Sequence, residues 1–598
     1  MASGYWIRLE RARTSRRRLM AGAALVGLGT ALYGSISCSG GKSSGASSSS
    51  SLLSQPVDTS KDAKRGGTYR DVITADADSV HPAINSPAGR VVVWRCYSRL
   101  QTFAPRYMGK APDQDMLPDI AESWEVADSG TLVTFKMRPN VKWDPRPPTN
   151  SRIMDIQDIK YSWDQFTTLN QFRSNLLNSL SPASPIVSAQ FTDTTLSFKL
   201  AFPMSDIFQA IASRFFIIPR EASGGFDPRS EARGSSPWML TKWSPSSSFS
   251  FERNPNYYGQ PAFIDKWEVP IVSEYSQRLA QFRNGSIFTL DLRQEDILPA
   301  KRDIPDLLMY QGQYTTNVPS IRFGLSSPIS PFWDQRVRQA FSMLIDRDLH
   351  ARTFTGADLF ESAGLPVNIK WYTFGGANLD FDPRDKEFGP NGKYYQHDPA
   401  EAKKLLAAAG YAQGFTTNVL YPSTDTANFS KYDAVVGMLA EAGIKGNVQV
   451  LDANTEFNQK VIVEHGNFDG IAFRSGGATP LVDSMVRRYH HNGAQFPGFD
   501  PDGKDRLRGD PKVDDVTTRM RSEFDPQKRL EIVKDLIRYL SGTMYEVPYG
   551  GEHTGFRLVW PTVRNYNVYQ TSELAQFAPV ETDPYLWLDP SQRPSSGA

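Results

Sequence analysis

Histidines are the side chains whose chemistry is easiest to read from this sequence, because they act as general bases and as metal ligands. The chain of 598 residues has seven, and His490-His491 is the only adjacent pair. Neighbouring residues point apart on a helix and to opposite faces of a strand, so this pair alone makes a poor metal chelate. No His-Glu-x-x-His zinc helix is present. We therefore expect no metal, no cofactor and no enzyme activity, while a catalytic site assembled from distant residues stays open.

The elements that must position any site follow an N-terminal segment with the features of an export signal. Ser15-Arg16-Arg17-Arg18 precedes an apolar run from Leu19 to Ile36 that four glycines interrupt. A charged region before an apolar region is typical of a signal peptide, and Arg16-Arg17 fits a twin-arginine signal. This run is shorter and less apolar than a membrane-spanning helix, which needs ~20 apolar residues. A permanent membrane helix nevertheless stays open as an alternative. We predict a signal peptide over residues 1–38.

Cys38 stands where a bacterial lipoprotein signal is cut and its new N-terminal cysteine is acylated. The match is imperfect, because Ser35 occupies the position where such signals have leucine. Cleavage nearby without lipidation stays open. Cys96 is the only other cysteine, so a disulfide scaffold does not stabilise this chain. Serine and glycine dominate the residues after Cys38, and we predict a flexible linker over 39–61.

Length and charge limit what the exported part can be. About 540 residues remain after export, which typical domain sizes divide into two or more compact units. The formal net charge of +1 gives no nucleic-acid signature. Aromatic residues make up 12% of the chain, and such side chains suit both cores and ligand clefts.

Local patterns predict mixed helices and strands. Residues 125–139 are predicted to form a hairpin, because apolar and polar residues alternate after an Asp-Ser-Gly turn at 128–130. Three helices are predicted from N-cap residues followed by apolar stripes with helical spacing, at Asp334, Asp398 and Asp525. In the second, Pro399 fills the first helical position, Glu401 is expected to complete a capping box, and Gly410 ends the helix.

Six stretches occur in an order that is specific, although each alone is ordinary fold-building sequence. They are KRGGTYRDVITADADSVHPAI from Lys64, LPDIAESWEVADSGTLVTFKMRPNVKW from Leu117, DIQDIKYSWDQF from Asp155, FERNPNYYGQPAFIDKWEVPIV from Phe251, FWDQRVRQAFSMLIDRD from Phe332 and HDPAEAKKLLAAAGY from His397. In this order they resemble the peptide/nickel-type, or family 5, extracellular solute-binding proteins of bacterial ABC importers.

The resemblance implies an α/β fold of two lobes with mixed sheets, an extra subdomain in lobe one, and a hinge of two chain crossings. Carried onto this chain, lobe one covers 62–315, lobe two covers 316–549, and 550–598 return to lobe one. Met544–Gly551 would contain the return crossing. The solute would bind between the lobes, and closure of the hinge would bury it.

Family members that bind peptides hold the peptide α-amine with an acidic residue in an Asp-Tyr-Pro-Asp-Pro segment. The equivalent stretch, FDGIAFRSGGATPLVDS from Phe468, lacks that segment. Arg474 stands near the expected place, and a guanidinium suits a carboxylate or phosphate, although a surface ion pair stays open. The candidate ligand-binding residues implied by position are Ser79, Val80, Phe473, Arg474, Asp483, Tyr545 and Tyr549. Core packing stays open for both tyrosines.

The resemblance implies an extracytoplasmic protein that captures a peptide-like or other small solute and delivers it to an ABC permease. We expect a monomer without nucleic-acid partners, in the periplasm or at the outer face of the cytoplasmic membrane, anchored through a lipid on Cys38. Binding of an oligosaccharide or another non-peptide solute is the alternative within the family. An exported enzyme is the alternative outside it.

Overall fold

The computed structural model describes residues 52–84, 87–110, 116–315, 317–377, 379–476, 481–570 and 581–592. The predicted signal peptide 1–38, with Cys38, lies outside the described residues, as does the linker up to residue 51. Among the described residues, every helix is too short or too polar to cross a membrane.

Residues 52–61, the end of the predicted linker, pack against the rest of the body. The Ser54 N–H donates to the Met309 carbonyl at 2.8 Å. Asn565 Oδ1 accepts from the N–H and the hydroxyl of Thr59 at 2.8 and 2.7 Å, and Trp587 donates to the Thr59 hydroxyl at 2.9 Å. Residues 52–61 are therefore a packed part of the body and not a flexible linker.

Helices and strands are interleaved along the chain. The first strands are β1 Thr68–Arg70, β2 Gln101–Phe103, β3 Arg106–Tyr107, β4 Met116–Pro118, β5 Ala121–Ala127, β6 Leu132–Met137, β7 Ile186–Phe191, β8 Thr195–Leu200, β9 Trp238–Ser244, β10 Ser248–Arg253, β11 Lys266–Pro270 and β12 Leu308–Gln311. The later strands are β13 Ser320–Phe323, β14 Lys370–Trp371, β15 Thr416–Pro422, β16 Lys445–Leu451, β17 Ile471–Arg474, β18 Glu546–Pro548, β19 Gly551–Glu552, β20 Phe556–Val559, β21 Val563–Arg564, β22 Tyr569–Gln570 and β23 Trp587–Leu588. The α-helices are α1 Pro87–Cys96, α2 Ile156–Leu169, α3 Ile207–Ala212, α4 Tyr275–Arg283, α5 Gln294–Asp303, α6 Gln335–Leu344, α7 Arg347–Thr355, α8 Ala357–Ser362, α9 Pro399–Ala408, α10 Phe429–Ala440, α11 Leu481–Tyr489, α12 Pro511–Ser522 and α13 Pro526–Thr543.

An antiparallel sheet in the order β5-β6-β8-β7 carries a small core of its own. Its first two strands form the hairpin predicted from alternation, and the predicted Asp128-Ser129-Gly130 turn joins them. Val133 and Phe135 point inward and are fully buried, which the period of two requires. Helices α2 and α3 supply the other side of this core.

A second sheet, in the order β1-β11-β10-β9, belongs to a separate core. β1 pairs parallel with β11, and the other pairs are antiparallel, so the sheet is mixed as predicted. Trp238 and Trp267 are fully buried there. The C-terminal strands contribute to the same core through Phe556, Leu558 and Val559.

The third and largest core surrounds a five-stranded mixed sheet in the order β16-β15-β17-β13-β18. β15 pairs parallel with both β16 and β17, while β13 runs antiparallel to β17 and β18. Helices α6, α9, α10 and α13 bury their apolar stripes against it.

The three helices predicted from N-cap residues are present as α6, α9 and α13. Each cap carboxylate accepts a backbone N–H of its own first turn. The predicted capping box at Asp398 is wrong in one half. The Asp398 N–H donates to the Met343 carbonyl at 3.0 Å, so Glu401 pairs with Lys404 instead.

The chain passes twice between the second and third cores. It leaves the second core after Tyr310 and enters the third at Ile321, and it returns between Tyr549 and Phe556. α8 is an exception. It lies along the chain between segments of the third core, but its Phe360 packs on Phe556 of the second core, with ring centroids 4.7 Å apart. Two neighbouring crossings between cores leave a cleft beside them.

Candidate functional site

A cleft of about 400 Å³ lies beside the two chain crossings. Ser475 directly follows β17 and Tyr549 directly follows β18, so ends of the five-stranded sheet open into it. Ligands of α/β sheets bind at the carboxyl ends of strands, and the volume lies in the ~300–1,000 Å³ range of small-molecule sites. The lining comes mainly from segments 291–294, 313–319, 428–432 and 549–557.

Glu552 supplies a buried carboxylate to the cleft wall. Its oxygens accept from the Thr315 N–H at 2.5 Å, the Thr315 hydroxyl at 2.9 Å and the Tyr372 hydroxyl at 2.9 Å. Burial raises the pKa of Glu552, while the bonds from Thr315 and Tyr372 offset part of that rise. β19 and the first crossing thus fix this group where it can accept a donor or cation of a solute.

Lys431 and His350 lie together in the cleft. Burial lowers the pKa of Lys431, and Asp425 and Glu552 partly restore it. Burial also lowers the pKa of His350 to about 4, so its imidazole is neutral at pH 7. His350 Nε2 lies 3.3 Å from the Lys431 carbonyl, and Nδ1 is buried without a partner among the described residues.

An aromatic cluster forms the floor behind these polar groups. Phe473 stacks on Tyr432 with centroids 4.7 Å apart and meets Tyr549 edge-on at 5.4 Å. Tyr549 also contacts the His350 ring at 5.7 Å. Tyr432 and Tyr549 line the cleft, while Phe473 is completely buried beneath them.

The structure places the predicted site residues in four regions. Tyr549 lines the cleft, and Arg474 is half-buried one residue before cleft-lining Ser475. Ser79 and Val80 are buried elsewhere, and the Val80 N–H donates to the Arg229 carbonyl at 2.9 Å. Tyr545 is buried in the third core, where its ring stacks on Phe499 at 4.0 Å.

Asp483 lies at a contact between the first and third cores. Its carboxylate pairs with Arg214 and Arg487, each at 3.0 Å. Its N–H donates to Asp206 Oδ2 at 2.7 Å. A separate cavity of only about 20 Å³ adjoins these groups, so the structure brings Asp483 together with charged partners and not with the cleft.

His490 and His491 do not point apart, and the expectation that they would is wrong. Their rings stack 4.9 Å apart at 22°, because both follow the end of α11. Asp514 Oδ2 lies 2.7 Å from His491 Nδ1 and its Oδ1 lies 3.8 Å from His490 Nδ1. The three side chains bring their ligand atoms within 4.8 Å of one another, close enough to hold a metal ion.

Sequence reasoning missed Glu552, Lys431 and His350. Each lies on a short or locally unremarkable element: Glu552 on the two-residue strand β19, Lys431 and His350 on helices α10 and α7. The position of the predicted crossing could have pointed to Glu552, because Glu552 follows Tyr549 by only three residues.

The geometry is that of a binding protein: α/β cores joined by two crossings, with a polar cleft beside them. Comparison with known proteins agrees. Residues 115–496 match the family model described as bacterial extracellular solute-binding proteins, family 5 Middle. The chain belongs to this family, as the ordered blocks predicted, and a solute-binding role follows from that membership.

Two curated relatives illustrate the family. Di/tripeptide-binding protein 2 of Pseudomonas aeruginosa is 24% identical over 479 residues, covering 76% of this chain and 83% of that protein. Heme-binding protein A of Haemophilus influenzae is 24% identical over 347 residues, covering 54% of this chain. The match spans 58% of the length of that heme-binding protein.

A solved structure supports the fold. The periplasmic binding protein DppA from Helicobacter pylori, in complex with the peptide STSA, superposes with a TM-score of 0.66 at 18% identity. The match covers 88% of this chain and 99% of that one. The predicted fold class of a periplasmic binding protein is therefore confirmed.

Proposed function

We propose that this protein captures a small solute in the 400 Å³ cleft and delivers it to the permease of an ABC importer. The observation that carries the proposal is the position of the cleft beside both chain crossings. Its walls come from both sides: Asp291 and Gln294 precede the first crossing, while Lys431 lies on α10, whose Tyr432 belongs to the third core.

Because the cleft has walls on both sides, a bound solute can shift the protein between an open and a closed form. A ligand shifts an equilibrium between open and closed forms only if it binds one form better. A solute that touches Gln294 and Lys431 together gains its second set of contacts only when the cores approach. The protein then reports solute binding to the permease as a change of shape and carries out no chemistry.

The solute is peptide-like or another small polar molecule. The cleft offers a carboxylate at Glu552, an ammonium at Lys431 and uncharged hydrogen-bonding groups at Asn317, Asn428 and His350. Such a mixture suits a molecule with several polar groups, as in a short peptide. The di/tripeptide-binding relative supports the peptide class, whereas the heme-binding relative supports a non-peptide solute.

We further propose that the protein works outside the cytoplasm as a lipid-anchored monomer. The Arg16-Arg17 pair would direct twin-arginine export, and Cys38 would carry the lipid. Both proposals rest on the pattern of residues 15–38.

Small-angle X-ray scattering with and without solute tests the shape change. The protein is purified from its native host, and half is unfolded, dialysed and refolded to remove retained solute. We expect a smaller radius of gyration for the loaded half, and native mass spectrometry to show a retained mass only there. An identical radius in both halves while solute is present would contradict the proposal, as would conversion of the solute to product.

A further inference from the structure

His490 and His491 lie with Asp514 in a cluster that is separate from the solute cleft. His491 Nδ1 lies 2.7 Å from Asp514 Oδ2, and His490 Nδ1 lies 3.8 Å from Asp514 Oδ1. One ligand atom of each residue lies within 4.8 Å of the other two. None of the three residues lines the cleft, so solute binding does not account for this cluster.

Two helices hold these side chains in place. His490 and His491 directly follow α11, whose last residue, Tyr489, is fully buried. Asp514 lies in the first turn of α12, and the Asp510 side chain caps that turn. Ligands that are carried on rigid elements keep their geometry without a metal, so little order has to be created when one binds.

His491 is tied to Asp514 through its backbone as well as its ring. The His491 N–H donates to Asp514 Oδ1 at 2.9 Å. Gly509 packs against the other side of His491, where an added Cβ would lie 2.5 Å from the His491 Cβ. The positions of the imidazole and the carboxylate are therefore fixed relative to each other by the protein alone.

Neither lysine nor arginine neutralises the Asp514 carboxylate. In the described part of the chain no such side chain lies within ion-pair distance of it, and its side-chain partners are the two imidazoles. Arg521, on the same helix, lies instead over the ring of Phe202, 3.7 Å from its centroid. The Asp514 side chain is only 20% exposed, and a carboxylate removed from water is stabilised by a cation.

Two imidazole nitrogens and one carboxylate oxygen suit a divalent transition metal. Imidazole binds ions such as Zn²⁺, whereas Mg²⁺ and Ca²⁺ prefer oxygen ligands. Bonds of about 2.0–2.2 Å place the ligands of one zinc ion about 3–4 Å apart, so the His490 ring needs to move by about 1 Å. That movement breaks the bond that His490 Nδ1 accepts from the Asn492 N–H at 3.1 Å. Because Asn492 is exposed, water can replace this bond.

We propose that His490 Nδ1, His491 Nδ1 and the Asp514 carboxylate bind a divalent transition-metal ion of the Zn²⁺ class. The proton that His491 shares with Asp514 passes to solvent, and water completes the coordination. The ion joins the end of α11 to the start of α12. Since Asp483 in the first turn of α11 pairs with Arg214, the ion also stabilises the helix that connects the first and third cores. This site goes beyond the proposed function and does not depend on where the solute binds.

Zinc binding to the mature protein tests the site. The protein is produced without a histidine tag, stripped with EDTA and dialysed, and its zinc affinity is measured by competition with a chromogenic chelator. We expect one high-affinity zinc ion per chain. His490→Asn and His491→Asn should each weaken zinc binding by at least about 100-fold, because losing a residue that merely supports a ligand already costs about 10- to 100-fold.

His397→Asn is the matched control. His397 Nδ1 also lies beside a carboxylate, that of Asp346 at 3.5 Å, and its side chain is 37% exposed against 36% for His491. This variant should bind zinc as wild type does. Asparagine at position 491 can still donate its amide N–H to Asp514, so His491→Asn removes the metal ligand and keeps a hydrogen bond. His490→Asn carries the test if His491→Asn does not fold.

Two further measurements separate metal ligation from a purely structural histidine–carboxylate pair. Zn²⁺ should raise the melting temperature of wild type and of His397→Asn but not that of His491→Asn, and Mg²⁺ should raise none of them. Co²⁺ should give visible absorption bands in wild type that Zn²⁺ removes and that His490→Asn lacks. A structural pair would instead lower the melting temperature of the zinc-free variants and leave their zinc affinity unchanged.

Equal zinc affinity in wild type, His490→Asn and His491→Asn would overturn the metal site and leave the proposed function standing. A wild-type protein that binds no zinc, or that Mg²⁺ stabilises as much as Zn²⁺ does, would overturn it as well. A solute that leaves the radius of gyration unchanged would count against the proposed function alone, because none of the three metal ligands lines the cleft.

Discussion

Phe473 shows how a residue chosen for its position near a binding segment can serve packing instead. Its ring is fully buried between Tyr432, Tyr421 and Tyr549, below the floor of the cleft. We expect Phe473→Ala to lower the free energy of unfolding by about 3–5 kcal/mol, because it removes a packed ring and leaves a cavity. Urea unfolding measures this loss.

Phe473→Leu is the matched control, since it keeps most of the apolar volume and should cost about 1.5 kcal/mol or less. Unchanged stability in Phe473→Ala together with lost solute binding would show that the ring contacts solute directly, contrary to its burial.

Tyr549 and Glu552 show which site residues can be predicted from the sequence and which cannot. Tyr549 was predicted from the crossing and lines the cleft, whereas Glu552, three residues later, was not. The reason is physical: Glu552 becomes a site residue only through Thr315 and Tyr372, which are far from it in sequence. Long-range partners leave no local pattern.

At the scale of elements, the contact between the start of α3 and the first turn of α11 should respond to pH. Asp206, the residue before α3, accepts the Asp483 N–H within α11. Burial and the charge of Asp483 raise the pKa of Asp206 to about 7, above its ordinary value of 3.8. Between pH 4 and 7 the folded state therefore holds a proton that the unfolded state has lost, and stability falls as pH rises.

Asp206→Asn should remove that slope, because an amide oxygen still accepts the Asp483 N–H but does not ionise. Relative to wild type, the variant should gain about 2–4 kcal/mol of unfolding free energy between pH 4 and pH 8. Urea unfolding at both pH values checks this, with exposed Asp515→Asn as control. Equal pH slopes in wild type and Asp206→Asn would show that Asp206 stays ionised throughout.

Elements were more predictable than the contacts between them. The hairpin at β5-β6 and the caps of α6, α9 and α13 follow from residues within one turn of each other, and they appear as predicted. The reciprocal half of the Asp398 capping box failed because the Met343 carbonyl, from another helix, takes the N–H that Glu401 needed. Tertiary partners overrode a local rule.

At the scale of the whole molecule, the family and its fold could be predicted because six blocks occurred in order. The boundaries between the two lobes could not be predicted with the same precision. α8 lies inside the predicted second lobe, yet Phe360 packs into the core that holds Phe556. The separate cores and the two neighbouring crossings are the features on which any movement of one part against another would depend.

The length of the chain between Cys38 and the folded body limits how far that body can lie from a membrane. Residues from Leu52 onward pack on the body, so only the chain between Cys38 and Leu52 can act as a tether. Even fully extended, that stretch spans at most about 50 Å. A lipid on Cys38 would therefore hold Leu52 within about 50 Å of the membrane, and a single acyl chain would need a second one for stable anchoring.

We expect Cys38→Ala to move the exported protein from the membrane fraction to the soluble fraction and to abolish labelling by radioactive palmitate. Cys96→Ala is the matched control, because Cys96 is the only other cysteine and is buried in α1, where burial raises its pKa to about 12 and keeps the thiol unreactive. Membrane fractionation and N-terminal sequencing of the mature protein provide the measurement. An unlabelled wild-type protein whose mature chain starts at another residue would refute the anchor, and solute binding by the released body would be unaffected.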